Sequence, residues 1–226
     1  YHMFASRWSK RVPFTPNWLT NSQVVRASSD TPVGPYRFEE VVLPPRGADH
    51  WDGRMSHNPT IHKCGETYLL FYTGTTYGES TPERPGDVSD ELRLKARANQ
   101  RIGLATSESV FGPWRRRDAP ILEPRPGKWD GLITTNPAPC VHDDGRTLLL
   151  YKSVPYDKGT IQYGVATAAH YEGPYRRALD GPLAISEPGV SYEDAYVWRQ
   201  GGRYHMIFND LQGHFTGEHH AGGHAI

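Results

Sequence analysis

The sequence predicts an all-β fold of the β-propeller type, and three repeated patterns carry that expectation. The first is Trp51-Asp52-Gly53 leading to Asn58-Pro59, matched by Trp129-Asp130-Gly131 leading to Asn136-Pro137 at the same spacing. The second is Ile102-Gly103-Leu104-Ala105-Thr106, matched by Tyr163-Gly164-Val165-Ala166-Thr167 and more loosely by Val24-Val25-Arg26-Ala27-Ser28. The third is a Gly-Pro-aromatic-Arg tetrad beginning at Gly34, Gly112 and Gly173. Recurrence of this kind marks a repeat architecture. A unit of four short strands bounded by Gly/Pro turns fits a propeller blade, whereas an immunoglobulin-like sandwich has strands without the recurrence.

Within one unit the elements follow in order. A Trp-Asp-Gly turn enters a first strand at Asn-Pro. A tight turn at Cys64-Gly65-Glu66 or Asp143-Asp144-Gly145 leads to an apolar second strand, Tyr68 to Tyr72 or Leu148 to Tyr151. The Gly-Leu-Ala-Thr segment is the third strand, and the tetrad opens the fourth. Asp52 and Asp130 are expected chiefly to cap their turns. Arg115-Arg116-Arg117 reads as a solvated edge that discourages strand addition. Tyr1-His2-Met3 resembles Tyr204-His205-Met206, so the chain is expected to begin at a second strand and to end in a third. The expected units are 1–50, 51–128, 129–190 and 191–226: strands two to four of one blade, two whole blades, and strands one to three of another.

Composition narrows the partners. Lys plus Arg and Asp plus Glu each number 25, so no net field draws nucleic acid or an anionic membrane. No apolar run approaches the ~20 residues of a membrane-spanning helix. Two cysteines, Cys64 and Cys140, make no disulfide framework and read as free thiols. No signal peptide is evident, and the compartment is left open between periplasm, exterior and cytoplasm.

Strand direction assigns the loops to two faces. One face takes the starts of first strands and the loops joining second to third strands. There lie His57, Asn58, Thr135, Asn136, Glu193 and Asp194, with the long loops Arg7–Asn21 and 75–100. The second loop is expected to hold one short helix after Ser89. Long loops on a rigid scaffold are where binding residues collect. Trp8 and Trp18 are therefore candidates for stacking on a sugar ring, with loop packing an equal alternative. Asn58 and Asn136 read equally as polar ligands or as turn residues before proline.

Tyr192-Glu193-Asp194-Ala195-Tyr196-Val197-Trp198-Arg199, followed by Tyr204-His205-Met206, resembles the fourth blade of glycoside hydrolase family 43 and its relatives. The Asn-Pro entries resemble that family's Asp-Pro entries, and Gly-Leu-Ala-Thr-Ser followed by Gly-Pro-Trp is frequent in it. The resemblance implies a five-bladed propeller, of which about three and a half blades are present, acting on arabinofuranosides or xylosides. It implies Glu193 as general acid and places the base in a strand before Tyr1. The family's third carboxylate falls at Asn136, an amide that cannot supply its charge, which leaves Asp130 or Asp194 to do so.

The resulting expectation is inverting hydrolysis of plant or algal oligosaccharides, with catalytic candidates Glu193, Asp194 and Asp130. The saccharide-binding candidates are Arg7, Trp8, Trp18, His57, Asn58, Thr135, Asn136, Lys152 and His219. A carbohydrate-binding propeller without turnover is the alternative. A glycoside phosphorylase is a third reading, with Arg7, Lys152 and His219 as its loose anion set. No cofactor is expected. The His214 to His220 tail lacks zinc-ligand spacing, and only a structural calcium, as in relatives, is allowed for.

Overall fold

The computed structural model describes residues 1–185 and 190–226, so the end of the third expected unit, 186–189, lies outside the described residues. The chain forms two compact units, Tyr1–Pro120 and Ile121–Ile226, each built from two antiparallel sheets. Every sheet keeps its strands in chain order.

In the first unit, β1 (His2–Arg7), β2 (Gln23–Ser28) and β3 (Arg37–Leu43) form one sheet. The second sheet contains β4 (Met55–Cys64), β5 (Thr67–Thr75), β6 (Arg101–Ser107) and β7 (Arg115–Arg116). The two sheets bury Val24, Leu43, Leu70, Tyr72 and Ala105 together. Ser56 fastens the seam: its Oγ accepts from Val24 N and donates to Leu43 O, each at 2.9 Å. The continuous apolar run Leu69-Leu70-Phe71-Tyr72 is explained by burial on both faces of β5, all four being wholly inaccessible.

In the second unit, β8 (Thr135–Val141), β9 (Thr147–Ser153), β10 (Gln162–Ala168) and β11 (Arg176–Arg177) form a sheet. It packs on a three-stranded sheet of β12 (Glu193–Gln200), β13 (Arg203–Asp210) and β14 (Ala221–Ala225). Their shared core contains Ala138, Leu150, Tyr163, Tyr192, Val197, Met206 and Phe208.

All three tetrads adopt one turn, with Gly34, Gly112 and Gly173 at φ of 87°, 87° and 92° and a cis bond to the following proline. A left-handed φ of this size is open to glycine and costly for other residues, which explains the invariant first position.

Two helices interrupt the strand pattern. The expected helix after Ser89 is present as α2 (Asp90–Ala98), where Ser89 Oγ accepts from Leu92 N at 3.1 Å. Asp90 and Glu91 in its first turn and Lys95 and Arg97 in its last complement the helix dipole. The other, α1 (Phe14–Asn21), is a correction to the loop expected over Arg7–Asn21. Its sequence lacks a capping side chain and contains Pro16, so nothing local announces it. Tertiary packing stabilises it, through Leu19 against Tyr77, Leu92 and Ala96, and through Tyr77 OH donating to Thr20 O at 3.0 Å.

The Trp-Asp-Gly turns also need correction, because their aspartates reach well beyond the turn. Asp52 accepts from Arg46 Nε at 2.6 Å, Tyr72 OH at 2.7 Å and Arg116 Nη1 at 3.4 Å. Asp130 accepts from Arg125 Nε at 2.8 Å, Tyr151 OH at 2.9 Å and Arg177 Nε at 2.5 Å. The preceding tryptophan stacks on the same tyrosine in both copies, Trp51 on Tyr72 and Trp129 on Tyr151, with centroids 5.9 Å apart. Gly103 and Gly164 leave room for those rings, since a Cβ there would lie 2.6 Å from Tyr72 or 2.3 Å from Tyr151. Arg116 is therefore a half-buried ion-pair partner of the buried Asp52 rather than a solvated edge.

Candidate functional site

Asn58, Asn136 and Asp194 occupy one structural position, three times over. Each follows the last residue paired before a register shift in its strand, and each lies in the left-handed region at φ of 45°, 46° and 53°. The strand register slips there, between His57 and Thr60, between Thr135 and Ala138, and between Glu193 and Tyr196. These are β-bulges, which re-aim side chains at strand ends. Asn and Asp tolerate this conformation better than other non-glycine residues. Pro59 and Pro137 follow at a point where the bulge takes the backbone out of the ladder, so the missing N–H is harmless. Ala195 replaces the proline in the third copy, and its N–H donates to Tyr163 OH at 3.2 Å.

In the second unit the bulges of β8 and β12 bring their polar residues together. Asn136 Nδ2 donates to Asp194 Oδ1 at 3.0 Å, and Thr135 Oγ1 donates to Asn136 Oδ1 at 3.1 Å. Lys152, opposite Thr135 in the β8–β9 ladder, directs its ammonium onto Glu193 Oε1. Lys152 is only 4% exposed, so a charge-bearing partner is required there. Thr135 and Asn136 are buried as well, whereas Asp194 opens to solvent. Even so, desolvation by the surrounding protein raises the Asp194 carboxyl above its usual range, and the neighbouring Glu193 charge adds to the rise. Lys152 and the Asn136 amide offset part of it. Two adjacent carboxyls thus meet unequal surroundings: Glu193 faces a cation and Asp194 an amide.

Tyr163 is a site residue that the sequence reading missed. It supports the β12 bulge, stacks on Tyr192 at 5.3 Å, and burial pushes its phenol well above the ordinary range. The signal was available, because the matching position in the other repeat is Ile102. A phenol at a core position signals a polar partner. Asp210 was missed for lack of any motif. It accepts from the N–H groups of His214, Phe215 and Thr216 at 3.0, 2.8 and 3.0 Å, fixing the 211–220 turn. Burial pushes its carboxyl up, but these donors outweigh that and hold it below 3.8. His219 is exposed on this turn, which joins the ends of β13 and β14 nearest Glu193 and Asp194.

In the first unit, Trp8, Trp18, Phe14 and His57 form one aromatic group. Trp18 lies 5.5 Å and Trp8 6.4 Å from the His57 ring, and Trp8 lies 5.2 Å from Phe14. His57 Nδ1 is 2.7 Å from Ser22 Oγ, and Asn58 N donates to Ser6 Oγ at 2.9 Å. Arg7 does not join the group, since its guanidinium sits 4.3 Å over the Phe38 ring of β3.

Asp130 is a further correction. Its side chain is inaccessible and both oxygens are occupied by Arg125, Arg177 and Tyr151, so no face remains for a sugar. Among the described residues no group of three or more His, Cys, Asp or Glu could hold a metal ion. Cys64 and Cys140 are free thiols. No helix among the described residues is long and apolar enough to cross a membrane.

No family model matches the chain, and no curated protein matches it in sequence. Solved structures do. The family 117 glycoside hydrolase Zg3597 of Zobellia galactanivorans aligns over 92% of this chain, with 18% identity and a TM-score of 0.59. The Bacillus subtilis arabinanase aligns over 92% with 14% identity and a TM-score of 0.55. The sucrose-6-phosphate hydrolase of Lactobacillus gasseri aligns over 96% with 14% identity and a TM-score of 0.65. The chain spans 62%, 61% and 39% of those three proteins, respectively. At such identities the likeness speaks for the fold alone, and the fold is the β-propeller shared by these glycoside hydrolases.

Proposed function

We propose that this chain belongs to a glycoside hydrolase acting on plant or algal oligosaccharides of the arabinofuranoside or xyloside kind. The observation that carries the reading is the adjacent pair Glu193 and Asp194 on a bulged strand start, held in unequal electrostatic surroundings. Glycoside hydrolysis needs one carboxyl that keeps its proton and one that stays ionised. The Lys152 ammonium pairs with Glu193 Oε1. Burial and the Glu193 charge favour a proton at Asp194. With Oδ1 accepting from Asn136, Oδ2 is the oxygen left to carry it.

On this reading Asp194 donates the proton to the leaving oxygen, the role that resemblance gave to Glu193. Glu193 stabilises positive charge developing on the sugar. Asn136 and Thr135 orient Asp194, and His219 stands on the neighbouring turn as a hydroxyl contact. Trp8, Trp18, His57 and Asn58 are the saccharide-binding candidates of the first unit, and a further carboxylate base that takes the proton of the attacking water gives inversion. The phosphorylase reading loses its anion set, because Lys152 contacts Glu193 and Arg7 contacts Phe38.

The test compares Asp194→Asn with Glu193→Gln in the full-length protein, on a natural oligosaccharide and on an activated aryl glycoside. Losing a general acid costs about 10²–10⁴-fold in rate, yet little where the leaving group departs unaided. Asp194→Asn is expected to show that split and Glu193→Gln to slow both substrates. If Glu193→Gln shows the split, the two roles exchange. Unchanged turnover in both variants ends the reading. Asn136 in place of a carboxylate favours a second reading, saccharide binding without turnover. It predicts oligosaccharide affinity with no hydrolysis by the wild-type protein.

A further inference from the structure

A cavity of about 580 Å³ opens at the other end of the second unit's four-stranded sheet. Its walls include His142, Arg146, Leu148, Pro174, Arg176 and Tyr204. His142 follows Asn136 by six strand positions, about 20 Å along β8, so this cavity is separate from the Asp194 group.

Arg176 and Pro174 belong to the repeated tetrad, whereas His142 and Arg146 are particular to this unit. In the first unit's four-stranded sheet the register equivalents of His142 and Arg146 are Cys64 and Thr67, by the pairing of Val141 with Thr147 and of Lys63 with Tyr68. His142 Nε2 lies 2.9 Å from Tyr204 OH with the rings edge to face, which fixes a polar corner between β8 and β13. Arg146 is partly neutralised by Asp144, its Nε donating at 2.6 Å. Arg176 is exposed and has no carboxylate partner among the described residues. Leu148 and Pro174 supply an apolar wall. A planar cationic fork, a histidine–phenol pair and an apolar wall together suit a sugar ring bearing an oxyanion.

We propose that this cavity is a secondary binding site for an acidic saccharide, with Arg176 gripping the oxyanion and the His142–Tyr204 corner contacting ring hydroxyls. The saccharide rests on the function proposed above, whereas the oxyanion rests on the cavity's own charge. Carboxylate and phosphate share this chemistry, and the probes separate them.

The chain would be titrated by NMR or calorimetry with galacturonate, glucose 6-phosphate, galactose, acetate and inorganic phosphate. One of the two acidic sugars is expected to bind at least tenfold more tightly than galactose and than its own free anion. Arg176→Gln should weaken it about tenfold or more, consistent with losing a charge-assisted contact. Tyr204→Phe, which keeps the ring, should weaken it severalfold, and Asp194→Asn should leave it unchanged. Galactose or a free anion binding as well as the acidic sugars overturns the proposal, as does affinity indifferent to both Arg176→Gln and Tyr204→Phe. Because binding is read without turnover, absence of hydrolysis would count against the catalytic reading alone.

Discussion

At residue scale, Asn136 illustrates a backbone demand and a side-chain demand met by one choice. Its φ of 46° disfavours a β-carbon without a compensating polar side chain, and its amide bridges Thr135 and Asp194. Asn136→Gly should relieve the first demand and remove the second, leaving stability nearly unchanged while Asp194 loses its partner. Asn136→Ala should lose both, at about 1–2 kcal/mol, read as a shift of the denaturation midpoint. Asp194 carries the opposite sign. Its carboxyl is raised on folding, so its own contribution is whole below the unfolded value and is lost as pH rises through the folded value. Asp194→Asn keeps the conformation that Asn58 and Asn136 already adopt, and should raise the neutral-pH melting temperature. A drop would mean that the charge of Asp194 stabilises the fold.

At the scale of elements, the repeated Asp–Arg–Tyr clusters fix how each four-stranded sheet closes onto its entry turn. Breaking a buried ion pair by removing one partner typically costs about 3–5 kcal/mol. Asp130→Asn should therefore lower the unfolding midpoint of the second unit strongly, while oligosaccharide binding measured well below that midpoint persists. The 211–220 turn has its own pH limit. Asp210 is depressed on folding, so its contribution is whole above 3.8 and disappears as pH falls below it through the folded value. Amide exchange of His214, Phe215 and Thr216 should accelerate over that range, and Asp210→Asn should accelerate it at neutral pH. The strands were legible because period, turn glycines and tetrads repeat, and α2 because Ser89 and its charges are local. Helix α1 was not, since its support comes from Tyr77 and Leu92, far along the chain. The strand-start position shared by Asn58, Asn136 and Asp194 was legible because the repeat sets it. The role of Asp130 was not, because Arg125 and Arg177 meet it only after folding.

At the scale of the whole molecule, each compact unit contains one free thiol, half-buried Cys64 in the first and buried Cys140 in the second. Burial raises the Cys140 thiol, which further suppresses the reactive thiolate. An aromatic disulfide reagent should label Cys64 in the native protein and Cys140 only when the second unit opens. With Asp130→Asn, Cys140 labelling should quicken while Cys64 labelling holds its rate. Equal quickening of both would show that the units unfold as one.

The left-handed bulge residues have one more implication. Asn and Asp are nearly isosteric and both accept that backbone, so each bulge is a socket whose charge can be exchanged without moving the main chain. The three sockets now read amide, amide, carboxyl. Asn136→Asp would set a second carboxyl at the 3.0 Å spacing now spanned by a hydrogen bond. Two carboxyls so close cannot both ionise and must share one proton. The titration of position 194 would then split into two steps, one shifted far upward, so that a single atom exchange retunes the acidity of this face.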